Sequence, residues 1–132
     1  MELGEVLMPD GIIPALKADS KKQVLQELAQ HAARAAGVSE HELFSRLLQR
    51  ESLGTTGLGR GIAVPHTKLP ALDRIVGLFA RLETPVDFDS PDGEPVDLVF
   101  LLLSPEHASG DHLKALARIS RVLRDAHTLE KL

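Results

Sequence analysis

The chain has 132 residues, no cysteine and a formal net charge of −4, which indicates one domain without disulfides, thiol catalysis or cysteine-ligated metals. This acidic balance, together with four Phe and no Trp or Tyr, argues against nucleic-acid binding, which needs a basic surface and stacking platforms. The longest strongly apolar run, residues 98–103, is too short to span a bilayer. The N-terminus lacks the basic region of a signal peptide. We therefore expect a cytoplasmic protein with no membrane insertion.

The first 50 residues predict one strand and two helices. Residues 12–16 are apolar and predict a short strand. Capping boxes that begin at Ser20 and Ser39 each predict a helix, and Gly37 is placed to end the first helix. The second helix carries an apolar face at helical spacing: Leu43, Phe44, Leu47 and Leu48.

A glycine-rich segment follows, GTTGLGRGIAVPHTK over residues 54–68. Clustered glycines permit positive φ and close backbone approach, so they usually shape a loop around something. The segment then leads through a short apolar strand into Pro65 and His66. Proline restricts the backbone before the histidine, and imidazole exchanges protons or phosphoryl groups near neutral pH. We therefore expect His66 to be the chemical centre of the protein.

Two nucleotide-binding motifs fail on this segment. A dinucleotide fingerprint that starts at Gly57 needs a glycine at the place of Ile62. A P-loop that starts at Gly54 needs Lys followed by Ser or Thr, where Arg60 and Gly61 stand. The alternative that the glycines serve only tight turns stays open on the loop alone.

The second half of the chain predicts two strands and a third helix. Residues 75–82 and 96–103 form the strands, and the second is apolar enough to be buried on both faces of a sheet. Residues 109–125 form the helix, and a final helix is expected to begin near Thr128 and to be cut short. Mixed strands and helices with no internal repeat indicate an α/β layered domain. The residues of the third helix that we expect to face inward are Leu113, Leu116, Ala117, Ser120 and Leu123.

Among the histidines, His112 has the second most informative position. It falls in the first turn of the third helix, just after the buried strand ends, where open α/β sheets bind ligands and helix N–H groups attract anions. The alternative is an ordinary surface residue. We expect His31, His41 and His127 to be solvated and His107 to lie in a loop without a role. No histidine spacing predicts a metal site.

Three further side chains are candidates beside His66. Arg50 ends the second helix and either favours the helix dipole or holds phosphate oxygens with its guanidinium. Thr55 and Thr56 either cap turns or donate hydroxyl hydrogen bonds to the same oxygens. Lys68 is expected to be solvated.

The segments RESLGTTGLGRGIAVPHTKLP, GLFARLETPVDFDSPDGEPVDLVFLLLSPE and DHLKALARISRVLRD resemble the mannitol/fructose-type enzyme IIA (EIIA type 2) domains of the bacterial phosphotransferase system, and most of all their nitrogen-regulatory group. The resemblance covers nearly the whole chain. It implies one such domain over residues 1–132, an α/β three-layer sandwich with a central mixed β-sheet flanked by helices. Because family members usually continue further, it also implies that the extreme C-terminal segment is lacking.

The resemblance also implies a function. His66 would be the phosphoryl acceptor, and His112, Arg50 and Thr55 would stabilise the phosphoryl group, with His112 partly protonated. No metal, nucleotide or other cofactor is implied. The site should be shallow and ringed by apolar residues, for which we expect Leu53, Leu58 and Leu69.

Three functional hypotheses follow. In the first, the protein is a phosphocarrier and regulator: a donor resembling the phosphocarrier HPr phosphorylates His66, and the phosphorylation state controls target proteins such as kinases and transporters. In the second, it is a sugar-specific IIA that passes phosphate to a separate transport IIB. In the third, it is an interaction module that is never phosphorylated, which the joint presence of Arg50, Thr55, His66 and His112 argues against.

Overall fold

The computed structural model describes residues 6–107 and 109–124. The first strand and the first two helices are β1 (Leu7–Leu16), α1 (Lys21–Ala36) and α2 (Glu40–Ser52). Three short strands then form within the glycine-rich segment, the last of them ending one residue after it: β2 (Gly57–Gly59), β3 (Ile62–Ala63) and β4 (His66–Leu69). The remaining elements are the long strands β5 (Val76–Val86) and β6 (Val96–Pro105) and the helix α3 (Ser109–Arg124).

The strands form one mixed sheet in the order β1-β5-β6-β3-β2, with β4 also paired to β6. β5 and β6 run antiparallel, whereas β1 is parallel to β5, and both β3 and β4 are parallel to β6. β6 is therefore the central strand. On its β3/β4 side it sets the position of the segment that carries His66.

Side chains of β6 alternate between two apolar cores, as the period of a strand requires. Val99, Leu101 and Leu103 face the core that α1 and α2 cover, and Phe100 and Leu102 face the core that α3 covers. Both faces of the sheet therefore carry helices among the described residues. This arrangement confirms the predicted α/β sandwich with a central mixed sheet.

Both predicted helix starts are confirmed. The hydroxyl of Ser20 accepts from the backbone N–H of Gln23, and that of Ser39 accepts from the N–H of Glu42, so each satisfies an otherwise free donor of the first turn. Gly37 ends α1 in the left-handed region at φ 70° and donates its N–H to the carbonyl of Ala33.

The inward face predicted for α3 is confirmed at Leu123 and in part at the half-buried Leu116, but it is wrong at Leu113 and Ala117, which are exposed. The buried residues are His112, Ala115, Ile119 and Leu123, whereas Leu113 is 66% exposed. Apolar residues lie on two neighbouring stripes of this helix, about 100° apart because consecutive residues differ by that angle. Spacing alone does not choose between them, and contact with Phe100 and Leu102 in the second core does.

The predicted final helix near Thr128 lies outside the described residues. None of the helices within 6–107 and 109–124 combines the length and apolar character that a membrane crossing requires.

Candidate functional site

Three elements bring His66, Arg50 and His112 together beside the C-terminal half of the central strand β6. His66 is the first residue of β4 and pairs in register with Leu102 of β6, whose N–H donates to the carbonyl of Pro65 at 3.0 Å. Arg50 comes from the last turn of α2. His112 comes from the first turn of α3, which follows directly after β6. Neighbours far apart in sequence therefore meet because all three segments contact or follow the same part of the sheet.

Two hydrogen bonds fix the state of the His66 ring. Its Nδ1 lies 2.9 Å from the carbonyl oxygen of Val64, and its Nε2 lies 3.3 Å from Nε of Arg50. A carbonyl can only accept and a guanidinium can only donate. Nδ1 therefore carries the proton, and Nε2 presents an unprotonated lone pair.

Burial favours the same neutral ring. Desolvation is the main cause that lowers the pKa of His66 from 6.5, and the positive charge of Arg50 lowers it further. The hydrogen bond to Val64 and the negative charge of Glu51 oppose this shift. The ring is therefore a neutral nucleophile near pH 7, as group transfer to nitrogen requires.

His112 stands beside His66, with ring centroids 5.4 Å apart and the planes tilted by 47°. It is 5% exposed, and its Nδ1 forms a hydrogen bond with the hydroxyl of Ser104. Burial, followed by the nearby charges of His66 and Lys68, lowers the pKa of His112 to about 4. Near pH 7 the ring of His112 is therefore neutral in the unphosphorylated protein, and its partial protonation beside a phosphoryl group stays a prediction.

Arg50 is tied at two points. Its Nε donates to His66, and its Nη1 donates to the carbonyl of Gly54 at 2.9 Å. The second bond links the end of α2 to the start of the glycine-rich segment. The guanidinium is thereby held next to the nucleophilic nitrogen.

The two threonines hold the loop in the unphosphorylated protein. The hydroxyl of Thr55 donates to the carbonyl of Phe88 and accepts from the N–H of Gly57 at 2.9 Å. The hydroxyl of Thr56 donates to the carboxylate of Glu51. Both hydroxyl protons thus already have acceptors within the protein.

Sequence reasoning missed Glu51 and Ser104. The Glu51 side chain is 6% exposed, pairs with Nζ of Lys21 at 2.6 Å and accepts from the backbone N–H of Thr56. It joins the start of α1, the end of α2 and the glycine-rich segment. Ser104 is fully buried, and its only sequence signal is that it is the first polar residue after the apolar run of β6.

Comparison with known proteins identifies the family of the chain. The family model described as "Phosphoenolpyruvate-dependent sugar phosphotransferase system, EIIA 2" matches residues 5–132. The chain belongs to this EIIA type 2 family. The resemblance of its segments to mannitol/fructose-type IIA domains is thereby confirmed.

Individual relatives agree. A nitrogen regulatory protein of Bradyrhizobium diazoefficiens is 60% identical over 132 residues, which cover 100% of this chain and 86% of that protein. The crystal structure of nitrogen regulatory protein IIA-Ntr from Neisseria meningitidis matches with a TM-score of 0.86 and 38% identity, over 92% of this chain and 84% of that one. IIA mannitol from Escherichia coli matches with a TM-score of 0.71 and 25% identity, over 88% and 82%.

The apolar rim expected for this EIIA type 2 domain is only partly present. Leu53 is 80% exposed and Leu58 is half-buried. Leu69 is 2% exposed and belongs to the core beneath α1 and α2, so its assignment to the rim is wrong. The strand β4 continues past His66 and turns Leu69 inward, which a loop after the histidine would not do.

The other histidines are exposed or half-buried, or fall outside the described residues. His41 and His107 are exposed, His31 is half-buried, and His127 is outside the described ranges. Within residues 6–107 and 109–124, no group of three or more His, Asp or Glu side chains is arranged to hold a metal ion. The backbone carbonyl of Lys68 accepts a hydrogen bond from Arg46 at 3.0 Å. The positive charge of the Lys68 side chain is one of the causes that lower the pKa of His112.

Proposed function

We propose that Nε2 of His66 accepts a phosphoryl group from an HPr-like phosphocarrier protein, and that the protein is a phosphohistidine carrier and regulator. The observation that carries this proposal is the pair of hydrogen bonds on one ring, Nδ1 to Val64 and Nε2 to Arg50. They support a single reactive nitrogen in the unprotonated state. Membership in the EIIA type 2 family supports the donor class.

The transfer balances without a cofactor. The lone pair of His66 Nε2 forms a bond to phosphorus while the phosphorus–nitrogen bond of the donor phosphohistidine breaks, and the electron pair stays with the donor imidazole. The proton on Nδ1 of His66 remains in its hydrogen bond with Val64. Retaining that proton keeps positive character on the phosphorylated ring, which makes the ring a better leaving group for the next transfer.

The arriving group carries close to two negative charges, about −1.5 to −2 near pH 7. Arg50 lies within hydrogen-bond distance of Nε2 and can turn its donors from nitrogen to the phosphoryl oxygens. His112 adds a ring nitrogen on the other side. Thr55 is also proposed to stabilise the group. Its hydroxyl would act after leaving Phe88, or its bond to Gly57 would hold the loop N–H groups in place.

Regulation, with the nitrogen-related phosphotransferase system as its context, is favoured over sugar transport by the relatives. The 60% identity to a nitrogen regulatory protein compares with 33% to the fructose-specific EIIABC component of Bacillus subtilis. The target proteins would include kinases or transporters. Transfer to a IIB domain is the alternative that the experiment below distinguishes.

Phosphorylation would act as an electrostatic switch on such targets. The exposed Leu53 follows α2 directly, three residues after Arg50, and so offers apolar surface near the site. A dianion there repels a partner that packs on apolar surface and attracts one that offers Arg or Lys. We therefore expect the affinity of a target protein to differ between the two forms.

The test is incubation with phosphoenolpyruvate, enzyme I and either a nitrogen-type or a sugar-type HPr-like carrier, followed by intact mass. We expect one added phosphate with the nitrogen-type carrier, acid-labile and base-stable, and none in His66→Ala with an unchanged circular dichroism spectrum. His41→Ala, an exposed histidine on α2, is the matched control and should take up phosphate normally. Phosphate that persists in His66→Ala would refute the assignment, and onward transfer to a IIB domain would favour the transport alternative.

A further inference from the structure

We propose that Ser104 is a positioning residue for phosphoryl transfer, because its buried hydroxyl holds neutral His112 as an Nε2–H donor toward the phosphoryl group on His66. This inference rests on the proposed function. It adds a residue in the central strand that does not itself reach the reacting atoms.

The first step concerns the hydroxyl proton. Ser104 is fully buried, and among the described residues the hydrogen-bond partner of its Oγ is Nδ1 of His112. A buried hydroxyl whose proton has no acceptor is costly. The proton therefore points at Nδ1, which makes Nδ1 the acceptor and places the ring proton on Nε2.

The second step concerns the free side of the ring. Nδ1 is used by Ser104, and within residues 6–107 and 109–124 Nε2 of His112 has no hydrogen-bond partner. The ring lies 5.4 Å from that of His66, centroid to centroid. An N–H without a partner at this position can donate to an added phosphoryl oxygen without the ring first gaining a proton.

The third step concerns what the serine excludes. Without the hydroxyl, the ring of His112 can rotate. The Nδ1–H tautomer also becomes accessible, because no group then donates to Nδ1 and so selects the Nε2–H tautomer. A ring in either alternative state offers a lone pair, which repels phosphoryl oxygens. The contact between Ser104, near the end of β6, and His112, near the start of α3, is therefore functional and does not serve packing alone.

The experiment combines nitrogen NMR of the imidazole rings with transfer rates from the phosphorylated HPr-like carrier. In the wild type, His112 should show a protonated Nε2 and an unprotonated Nδ1. In Ser104→Ala the two nitrogens should move toward a common averaged signal, and transfer to His66 should slow by about three- to tenfold, the worth of one ordinary hydrogen bond. Ser90→Ala, which removes another buried serine hydroxyl, is the control and should leave both readouts unchanged.

A second variant separates positioning from packing. In His112→Gln the side-chain amide donates a hydrogen bond and has no tautomers. Adding Ser104→Ala to this variant should therefore slow phosphoryl transfer by less than a further twofold, so that the two substitutions are non-additive. An Nδ1–H tautomer in the wild type would overturn the inference without any variant. So would unchanged rates in Ser104→Ala, or equal slowing in the His112→Gln background. If the wild-type protein itself takes up no phosphate, no variant will show phosphoryl transfer. That result would refute the proposed function and this inference with it.

Discussion

Nε of Arg50 lies 3.3 Å from Nε2 of His66, the one nitrogen of that ring that carries no proton. The same guanidinium donates to the carbonyl of Gly54, so a single side chain joins a helix end, a loop and the nucleophile. In the unphosphorylated protein it occupies the lone pair that the phosphoryl group would take. The proposed transfer would thus exchange the His66 nitrogen as partner of Arg50 for a charged phosphoryl oxygen, which is a stronger acceptor.

The first prediction concerns that exchange. Arg50→Ala should slow phosphoryl transfer to His66 by roughly ten- to a hundredfold, because a charge-assisted hydrogen bond is worth about 1.5–3 kcal/mol. Arg46→Ala is the matched control. Arg46 lies one turn earlier on α2 and bonds to the Lys68 carbonyl and to Glu106. Quench-flow rates with the same phosphorylated carrier measure the effect, and equal rates for both variants would count against the role of Arg50.

The second prediction concerns Glu51, whose carboxylate pairs with Lys21 and accepts from Thr56. Glu51→Ala should lower the free energy of unfolding by roughly 2–4 kcal/mol, because the N–H and hydroxyl of Thr56 lose their acceptor and Lys21 keeps only its longer contacts with Asp89 and the Phe88 carbonyl. The Lys21 side chain is 22% exposed, which limits the loss. Glu42→Ala, which removes a more exposed ion pair with Arg46, should cost under about 1 kcal/mol. Urea unfolding measures the loss of stability in both variants. Similar losses would show that Glu51 does not stabilise the glycine-rich segment.

Local signals in the sequence were sufficient for some of these parts and not for others. His66 was predictable because glycines and a proline leave a signature in consecutive residues, and Ser20 and Ser39 mark helix starts within three residues of the groups that they cap. Ser104 was not predictable, because its role depends on a contact that exists only once β6 and α3 pack. Leu69 was misplaced for a related reason, since strand pairing beyond His66 decides its direction.

The third prediction concerns pH. The pKa of His112 is about 4 in the folded protein, against 6.5 for an ordinary histidine. The unfolded chain therefore binds more protons between these values, so stability falls as pH drops through this window and is unaffected by this group above it. His112→Gln should not show this part of the loss. On lowering the pH through this window it should therefore lose roughly 1–2 kcal/mol less stability than the wild type, after allowance for solvent screening. Unfolding by urea at about pH 7.5 and about pH 4.5 gives the difference, in which carboxylates shared by both proteins cancel. Parallel losses in both proteins would contradict the lowered pKa.

The fourth prediction concerns Gly57, the first residue of β2, whose N–H donates to the hydroxyl of Thr55. A Cβ on Gly57 would overlap the hydroxyl of Ser90, a buried group with no hydrogen-bond partner within the described residues. Gly57→Ala should therefore lower the free energy of unfolding by roughly 1–3 kcal/mol, as overpacking does. It should also slow phosphoryl transfer, because the Thr55 contact shifts with it.

Two controls isolate this overlap. Gly110→Ala places its methyl group in open space within α3, so it should be neutral or stabilise by up to about 1 kcal/mol. Ser90→Ala alone should be nearly neutral, because the hydroxyl that it removes makes no hydrogen bond. When Ser90→Ala is combined with Gly57→Ala, it should restore at least half of the stability that Gly57→Ala removes. A double-mutant cycle measures this coupling. Additive losses in the double variant would show that the overlap with the Ser90 hydroxyl is not the cause and would point to the Thr55 hydroxyl, which lies 3.2 Å from the added Cβ.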